Sequence, residues 1–151
     1  MKYIDTMISP LGILKIQASD QGLMGLVFVE SVPMTISANT ITDKTKQQLH
    51  EYFMGERQHF DLPFDTKGTV FQQSVWHYLT TIPYGQTASY QDVASGIDNP
   101  KAVRAVGAAN GKNPIAIIVP CHRVIGKNGS LTGYAWGVEA KSWLLQHELG
   151  N

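Results

Sequence analysis

Residues 89–110 read Ser89-Tyr90-Gln91-Asp92-Val93-Ala94-Ser95-Gly96-Ile97-Asp98-Asn99-Pro100-Lys101-Ala102-Val103-Arg104-Ala105-Val106-Gly107-Ala108-Ala109-Asn110. Ser89 stands three residues before Asp92, the spacing at which two side chains cap each other's backbone N–H groups. A short helix is expected to start there and to close at Gly96. Asn99-Pro100 then offers a second N-cap with proline at the first helical position, and this helix is expected to run to about Asn110. Two short helices joined by the tight turn Gly96-Ile97-Asp98-Asn99 read as a helix-turn-helix. On the second helix Lys101, Arg104, Ala105 and Ala108 fall at i, i+3, i+4 and i+7, so they share a stripe, while Val103 and Val106 point to the core. Two cations among methyl-sized side chains let a helix backbone approach a groove closely. An ordinary solvated face has the same composition, and the stripe alone does not choose between them.

Upstream, Val75, Leu79 and Ile82 form one apolar stripe of a helix that Pro83-Tyr84-Gly85 ends. Before Gly68 the pattern changes. Residues 3–7, 11–17 and 23–29 are short apolar runs separated by the turn sequences Ser9-Pro10 and Ser19-Asp20-Gln21-Gly22, which predicts three strands. Residues 31–40 read as a loop. Residues 42–54 read as a helix with Leu49, Tyr52 and Phe53 at helical spacing and Gly55 as its stop. Residues 59–64 are expected to form one more strand. The fold class is therefore α/β (α+β): a small sheet-plus-helix domain over residues 1–67, then a mainly helical domain over residues 68–151.

Composition excludes several classes. With 151 residues, 43% of them hydrophobic, the chain suits one or two small globular domains. No apolar run nears membrane-spanning length, and Met1-Lys2-Tyr3-Ile4-Asp5 carries no secretion-signal core, so a cytoplasmic protein is expected. A single cysteine excludes an internal disulfide and a zinc site of paired thiolates. His50, His59, His77, His122 and His147 show no metal-ligand spacing, so no metal is expected. The net charge is zero, but it is unevenly spread: −2 over residues 1–69, +3 over 70–130 and −1 over 131–151. The basic excess surrounds the helix pair, where phosphate binding would need it.

The chemistry gathers downstream. Ile115-Ala116-Ile117-Ile118-Val119 is β-branched and bounded by prolines, so it reads as a buried strand delivering Pro120-Cys121-His122-Arg123. A lone cysteine is more often an inert buried residue. Beside a histidine and an arginine, however, it sits where a thiolate would be stabilised. Near the C-terminus Lys141, Leu144, Leu145 and Glu148 share a helix face, so Glu148 lies among leucines and needs a partner. A histidine that accepts the thiol proton would satisfy it, which gives a Cys121–His122–Glu148 triad. Without Cys-His beside it, Glu148 would read as a solvated helix-end carboxylate.

Residues Ile118-Val119-Pro120-Cys121-His122-Arg123-Val124-Ile125-Gly126 resemble the active-site motif of the O6-alkylguanine-DNA alkyltransferases. The likeness continues through Gly129, Gly133-Tyr134, Gly137, Lys141, Trp143-Leu144-Leu145 and His147-Glu148, and upstream through Pro83-Tyr84-Gly85, Ser89-Tyr90, residues 99–107 and Asn113-Pro114. It covers roughly residues 68 to 149; the first third matches only in size and in its strand-then-helix character. The resemblance implies a ribonuclease H-like first domain and a winged-type helix-turn-helix in the second. It implies direct reversal of damage: transfer of an alkyl group from O6-alkylguanine, and from O4-alkylthymine, to Cys121, in a single turnover without a cofactor. Double-stranded DNA carrying the lesion is the implied partner, bound by a monomer with no obligate protein partner.

The same resemblance implies the roles of individual residues. Cys121 attacks the alkyl carbon, His122 takes the thiol proton through water, and Glu148 holds the imidazole. Tyr90 promotes flipping and stabilises the leaving guanine, and Asn113 is the hinge asparagine. Arg104 replaces the extruded base. Lys101, Ala102, Ala105, Gly107, Ala108 and Arg123 face DNA. The main-chain carbonyls of Cys121 and Val124 read the exocyclic amine, main chain near Ala135 contacts O6, and Tyr134, Ala135 and Trp136 line the pocket. Trp136 stands where many relatives have a small residue, which puts bulky adducts in doubt. Two other classes are a non-catalytic binder of alkylated DNA, in which the reactive cysteine is replaced, and a Cys-His hydrolase, which would turn over repeatedly.

Overall fold

The computed structural model describes residues 2–131 and 134–150; Gly133 of the motif quoted above lies outside the described residues. The chain divides into two compact units between Lys67 and Gly68.

In the first unit β1 (Lys2–Ser9), β2 (Gly12–Ser19) and β3 (Leu23–Val29) form an antiparallel sheet in that order. Burial alternates along β2: Leu14, Ile16 and Ala18 are sealed, while Ile13, Lys15 and Gln17 are half-buried, the period of a strand with one face on a core. Helix α1 (Thr40–Phe53) covers that face with Thr42, Thr45, Gln48, Leu49 and Tyr52. Its start is fixed by a reciprocal cap, in which Asn39 Oδ1 accepts from Thr42 N and Thr42 Oγ1 accepts from Asn39 N, both at 2.9 Å.

Residues 59–64 do not form the expected strand. Phe64 makes one isolated parallel bridge to Leu23, framed by Leu23 N donating to Pro63 O and Asp65 N donating to Leu23 O, each at 2.8 Å. Two features stop a ladder from extending. Pro63 has no N–H to donate. Asp61 bonds instead to the Gln48 side chain, its N–H to Oε1 at 2.9 Å and its carbonyl from Nε2 at 3.0 Å.

The second unit begins with α2 (Val70–Leu79), capped by Thr69 and Gln72. The helix ends at Thr80, so Ile82 belongs to the following turn, although it is buried as its stripe requires. A two-residue strand β4 (Ala88–Ser89) leads into α3 (Tyr90–Gly96), and the Ser89–Asp92 capping box forms as expected. Gly96 is the last helical residue, not a left-handed cap. A Cβ there would lie 2.1 Å from the Tyr78 ring, so the glycine serves close packing.

Helix α4 (Val103–Gly111) starts later than Asn99-Pro100 suggested. Asn99 O accepts from Ala102 N at 3.0 Å, closing a turn before the helix. Lys101 therefore lies in that turn and off the helical stripe. The inter-helix connection spans residues 97–102 and uses Asp98 at φ 61, a conformation that aspartate tolerates better than most residues.

Residues 115–119 are buried but are a turn, not a strand. The Asn113 carboxamide bends them: Oδ1 accepts from Ile115 N at 3.0 Å, and Nδ2 donates to Ile115 O at 3.0 Å and to Val119 O at 2.9 Å. Ile117 is held at φ 70, which a β-branched residue adopts only under external constraint. A single 3-10 turn (Cys121–Arg123) follows. Then β5 (Val124–Ile125) pairs in parallel with β4, Val124 opposite Ala88 and Ile125 opposite Ser89. Helix α5 (Val138–Glu148) completes the unit. No described helix is long and apolar enough to cross a membrane.

Gly22 ends the β2–β3 hairpin turn where two backbones meet. A Cβ would lie 2.8 Å from the Phe64 carbonyl carbon and 2.9 Å from Pro63 C and O. Backbone cannot swing aside as a side-chain tip can. Gly22→Ala is expected to cost about 1–3 kcal/mol in urea unfolding, and an unchanged midpoint would show that residues 63–65 shift freely.

Candidate active site

Cys121 opens the 3-10 turn and is almost wholly buried. Burial pushes its thiol up to about 11, opposed by the Asn113 carboxamide and the Lys141 ammonium. At neutral pH the sulfur is therefore a thiol, and any nucleophilic chemistry requires a base.

His122 supplies a suitable one. Its Nε2 lies 2.7 Å from Glu148 Oε2, both side chains sealed from solvent. Glu148 also accepts from Arg123, at 2.8 Å from Nε to Oε1 and 3.0 Å from Nη2 to Oε2. Arg123 Nη1 donates to Ile82 O at 2.7 Å, and the guanidinium stands 5.7 Å from the centre of the Tyr84 ring. Burial alone would raise the Glu148 carboxyl, but His122 and Arg123 outweigh it and hold it well below the usual carboxylate range. An ionised Glu148 accepts only, so Nε2 must carry the imidazole proton. Burial, only partly offset by Glu148, lowers the His122 pKa. The resting imidazole is thus neutral, and its Nδ1 is buried with no hydrogen-bond partner among the described residues. An unused lone pair on the residue next to a buried thiol can take the thiol proton.

The other expected site residues fall into three places. Asn113 lies under Cys121 as the clamp of the preceding turn, and Val124 is buried in the β4–β5 pair. Tyr90 is the first residue of α3; it packs 3.9 Å from where a Cβ on Gly107 would be, and its phenol pKa is raised by burial and by Cys121. Tyr134 is buried, with its hydroxyl unpartnered among the described residues and its ring edge-on to half-buried Trp136 at 5.4 Å. Ala135 is exposed. Along α4, Arg104, Ala105 and Ala108 are exposed, and Ala102 and Gly107 half-buried; exposed Lys101 precedes the helix. Val106 is sealed, whereas Val103 is only half-buried.

One expectation needs correction. Arg123, read as a DNA contact, is 6% exposed, and its donors are engaged by Glu148 and Ile82. A guanidinium so committed is an internal counter-ion and not a phosphate ligand. Two further residues escaped the sequence reading. Lys141 is fully buried, with Nζ donating to Val124 O at 2.5 Å; its position on the Leu144–Glu148 face of α5 was the available signal. Asn110 is buried at the end of α4, with Nδ2 donating to Cys121 O at 3.5 Å. It continues the face of Val103 and Val106 at i+7 and i+4.

The electrostatics predict a pH signature. Because the folded pKa of Glu148 is depressed, its stabilisation is fully present above the unfolded value near 4.5 and is lost as pH falls through the folded value. Glu148→Gln leaves Arg123 without its counter-charge and is expected to cost about 3 kcal/mol at pH 7. The gap to wild type should shrink progressively below pH 4.5 in denaturant titrations. A gap independent of pH would mean that Glu148 is not ionised in the folded protein.

Comparison with known proteins matches both units. Residues 2–66 fit the family model of the 6-O-methylguanine DNA methyltransferase ribonuclease-like domain, and residues 70–150 fit that of its DNA-binding domain. A methylated-DNA–protein-cysteine methyltransferase of Methanosarcina barkeri is 45% identical over 99% of this chain and 98% of its own length. A constitutive one from Bacillus subtilis is 48% identical over 98% and 96%. A solved Mycobacterium tuberculosis O6-methylguanine methyltransferase superposes with TM-score 0.90 at 44% identity, covering 99% of this chain and 94% of that one. A solved complex of the M. tuberculosis protein with DNA superposes with TM-score 0.87 at 47% identity, covering 96% and 91%. Two family models that together span nearly the whole chain, and relatives this similar over their full length, make one assignment: the chain belongs to the 6-O-methylguanine DNA methyltransferase family.

Proposed function

We propose that this protein repairs DNA by direct reversal, moving a methyl group from O6 of guanine to Cys121. The observation that carries the reading is the sealed Cys121 beside a neutral His122 whose Nε2 is fixed by Glu148 and whose Nδ1 has no hydrogen-bond partner among the described residues. The relatives' shared name, methylated-DNA–protein-cysteine methyltransferase, supplies the substrate class. His122 Nδ1 takes the thiol proton, directly or through one water. The Cys121 sulfur forms a bond to the methyl carbon as the carbon–O6 bond breaks, and that electron pair leaves with the guanine. Tyr90 donates its phenolic proton to the departing base, and the imidazolium proton, passed on through water, restores the phenol. Glu148 stabilises that imidazolium while Arg123 keeps the carboxylate ionised. The thioether formed has no way back to a thiol, so each chain acts once. O4-alkylthymine offers the same displacement geometry.

The alkylated oxygen is out of a thiolate's reach inside a duplex, so the base must be extruded. Exposed Arg104 fills the vacated stack, and the methyl-sized Ala105 and Ala108 let α4 approach the groove. Lys101 serves as a phosphate contact.

Incubation with duplex DNA containing O6-methylguanine should add one methyl group per chain, located on the Cys121 peptide by mass spectrometry. Cys121→Ser should take up none while still binding the DNA. More than one methyl per chain, or repeated product release, would point to a hydrolase or a different acceptor. Arg104→Ala should slow transfer from duplex DNA by about 10²-fold, the scale of a few kcal/mol of unstacking, and leave reaction with free O6-methylguanine nearly unchanged. Equal losses on both substrates would place Arg104 in support of the thiol and not of the extruded state.

A further inference from the structure

The turn after α2 meets the Arg123–Glu148 pair at three points. Ile82 O accepts from Arg123 Nη1 at 2.7 Å, Gly85 N donates to Glu148 Oε1 at 3.4 Å, and the centre of the Tyr84 ring stands 5.7 Å from the guanidinium carbon. Gln86 N closes this turn by donating to Pro83 O at 3.1 Å, with Gly85 at φ 78, as the third position of a type II turn requires. Tyr84 is thus held by backbone on both sides. Arg123 directs N–H groups in its own plane to Glu148 and Ile82, so what it offers Tyr84 is the flat side of a cation. An aromatic ring attracts a cation there without competing for those N–H groups. Arg123 is buried and Tyr84 only half-buried, which puts the ring at the border between the ion pair and solvent.

We propose that Tyr84 is a positioning residue for methyl transfer: its ring covers the Arg123 guanidinium and keeps water from the Arg123–Glu148 pair that orients His122. The inference rests on the methyltransferase reading above, in which His122 must be neutral to take the thiol proton. The titratable groups around His122 are Cys121 and Arg123 on its own turn and Glu148 and Lys141 on α5. Tyr134, ahead of α5, is influenced by Cys121 and Glu148. On α2, which packs on the same turn, His77 is exposed and Tyr78 lies against Gly96. Burial is the largest influence on His122 and outweighs the pull of Glu148, so the imidazole is held below its ordinary value. Water admitted beside Arg123 relieves that burial, and the imidazole then takes up a proton more readily. It also screens the attraction between Glu148 and its partners, which loosens the anchor at Nε2. Tyr84 therefore acts through Arg123 and not on the sulfur.

The test follows single-turnover methyl transfer by the whole protein from saturating O6-methylguanine duplex as pH is varied, and titrates the His122 ring by NMR in the same proteins. Wild type should keep a nearly level rate towards the acid end. In Tyr84→Ala the imidazole should titrate near its ordinary value of about 6.5, so that transfer is about tenfold slower than wild type at about pH 5.5 and the gap closes by about pH 8.5. Tyr84→Phe keeps the ring and should restore the wild-type profile. Tyr84→Gln, which keeps the length of the side chain without an aromatic face, gives the same comparison if the alanine variant does not accumulate. An alanine or glutamine profile parallel to wild type, whether equal or uniformly slower, overturns the proposal, because a packing role has no such pH dependence. A phenylalanine variant that behaves like alanine also overturns it, since the effect would then belong to the hydroxyl. Wild type that transfers no methyl overturns the methyltransferase reading instead, and the imidazole titration then decides the role of the ring by itself.

Discussion

A single carboxylate, that of Glu148, organises the second unit. It is sealed from solvent between an imidazole and a guanidinium, both carried by the 3-10 turn, so it ties α5 to that turn and, through Arg123, to Ile82 in the turn after α2. A lone buried carboxylate would take up a proton instead of remaining charged. Arg123 removes that option, because a bidentate guanidinium favours the ionised form at short range. With the charge fixed, the imidazole proton must sit on Nε2. One ion pair thus sets the protonation state of the site as well as the docking of the last helix. Buried pairs of this kind need not add stability over a well-packed apolar cluster, so the chemistry is the better explanation for the arrangement.

The buried thiol follows the same logic. Burial pushes Cys121 up to about 11, which at first sight suits a nucleophile badly. Intrinsic nucleophilicity of a thiolate, however, falls as its pKa falls. On the proposed reading each chain acts once, and such a protein gains nothing from a thiolate standing ready at rest, which would also be exposed to oxidation. Keeping the sulfur protonated and removing the proton only through His122 yields a more basic thiolate when the substrate is in place. Lys141, which opposes the effect of burial on the thiol, limits the cost of forming that anion. Nδ1 and the Tyr134 hydroxyl, neither with a partner among the described residues, and the raised thiol are consistent with a site whose polar groups are completed by substrate.

Local signals were legible where local interactions decide. Three strands and α1 follow from apolar runs between turn residues, and the Ser89–Asp92 cap marks α3 to the residue. Misreadings occur where a side chain outside the segment claims its backbone groups or its charge. Residues 115–119 are β-branched enough for a strand, yet the Asn113 carboxamide takes three of their backbone groups and folds them into a turn. Residues 59–64 lose their ladder to Pro63 and to Gln48 on α1. Arg123 shows the limit most clearly. In sequence it is a cation beside a reactive cysteine in a basic stretch, indistinguishable from a phosphate ligand. Only the return of α5, 25 residues later, brings the carboxylate that claims it.

Helix α4 has two unlike faces, one at the surface and one against the reactive residue. Arg104, Ala105 and Ala108 look outward with little bulk, while Val106, Ala109 and Asn110 are buried. Its C-terminal end is fixed twice: Trp76 Nε1 donates to Ala109 O at 2.8 Å, and Asn110 reaches the Cys121 carbonyl. Its neighbour α3 is held by the β4–β5 pair, which joins Ser89, the cap of α3, to the residue two beyond Arg123. Reactive groups carried by regular elements are positioned more tightly than groups on loops. On the proposed reading, in which α4 meets DNA on one face and the reactive backbone on the other, the helix sets the span between them by its own rigid length, so an extruded base would have one place to arrive. Precision at the sulfur then depends on the pinned end of α4 as much as on the triad, because a displacement at carbon requires alignment that a mobile connection would not hold.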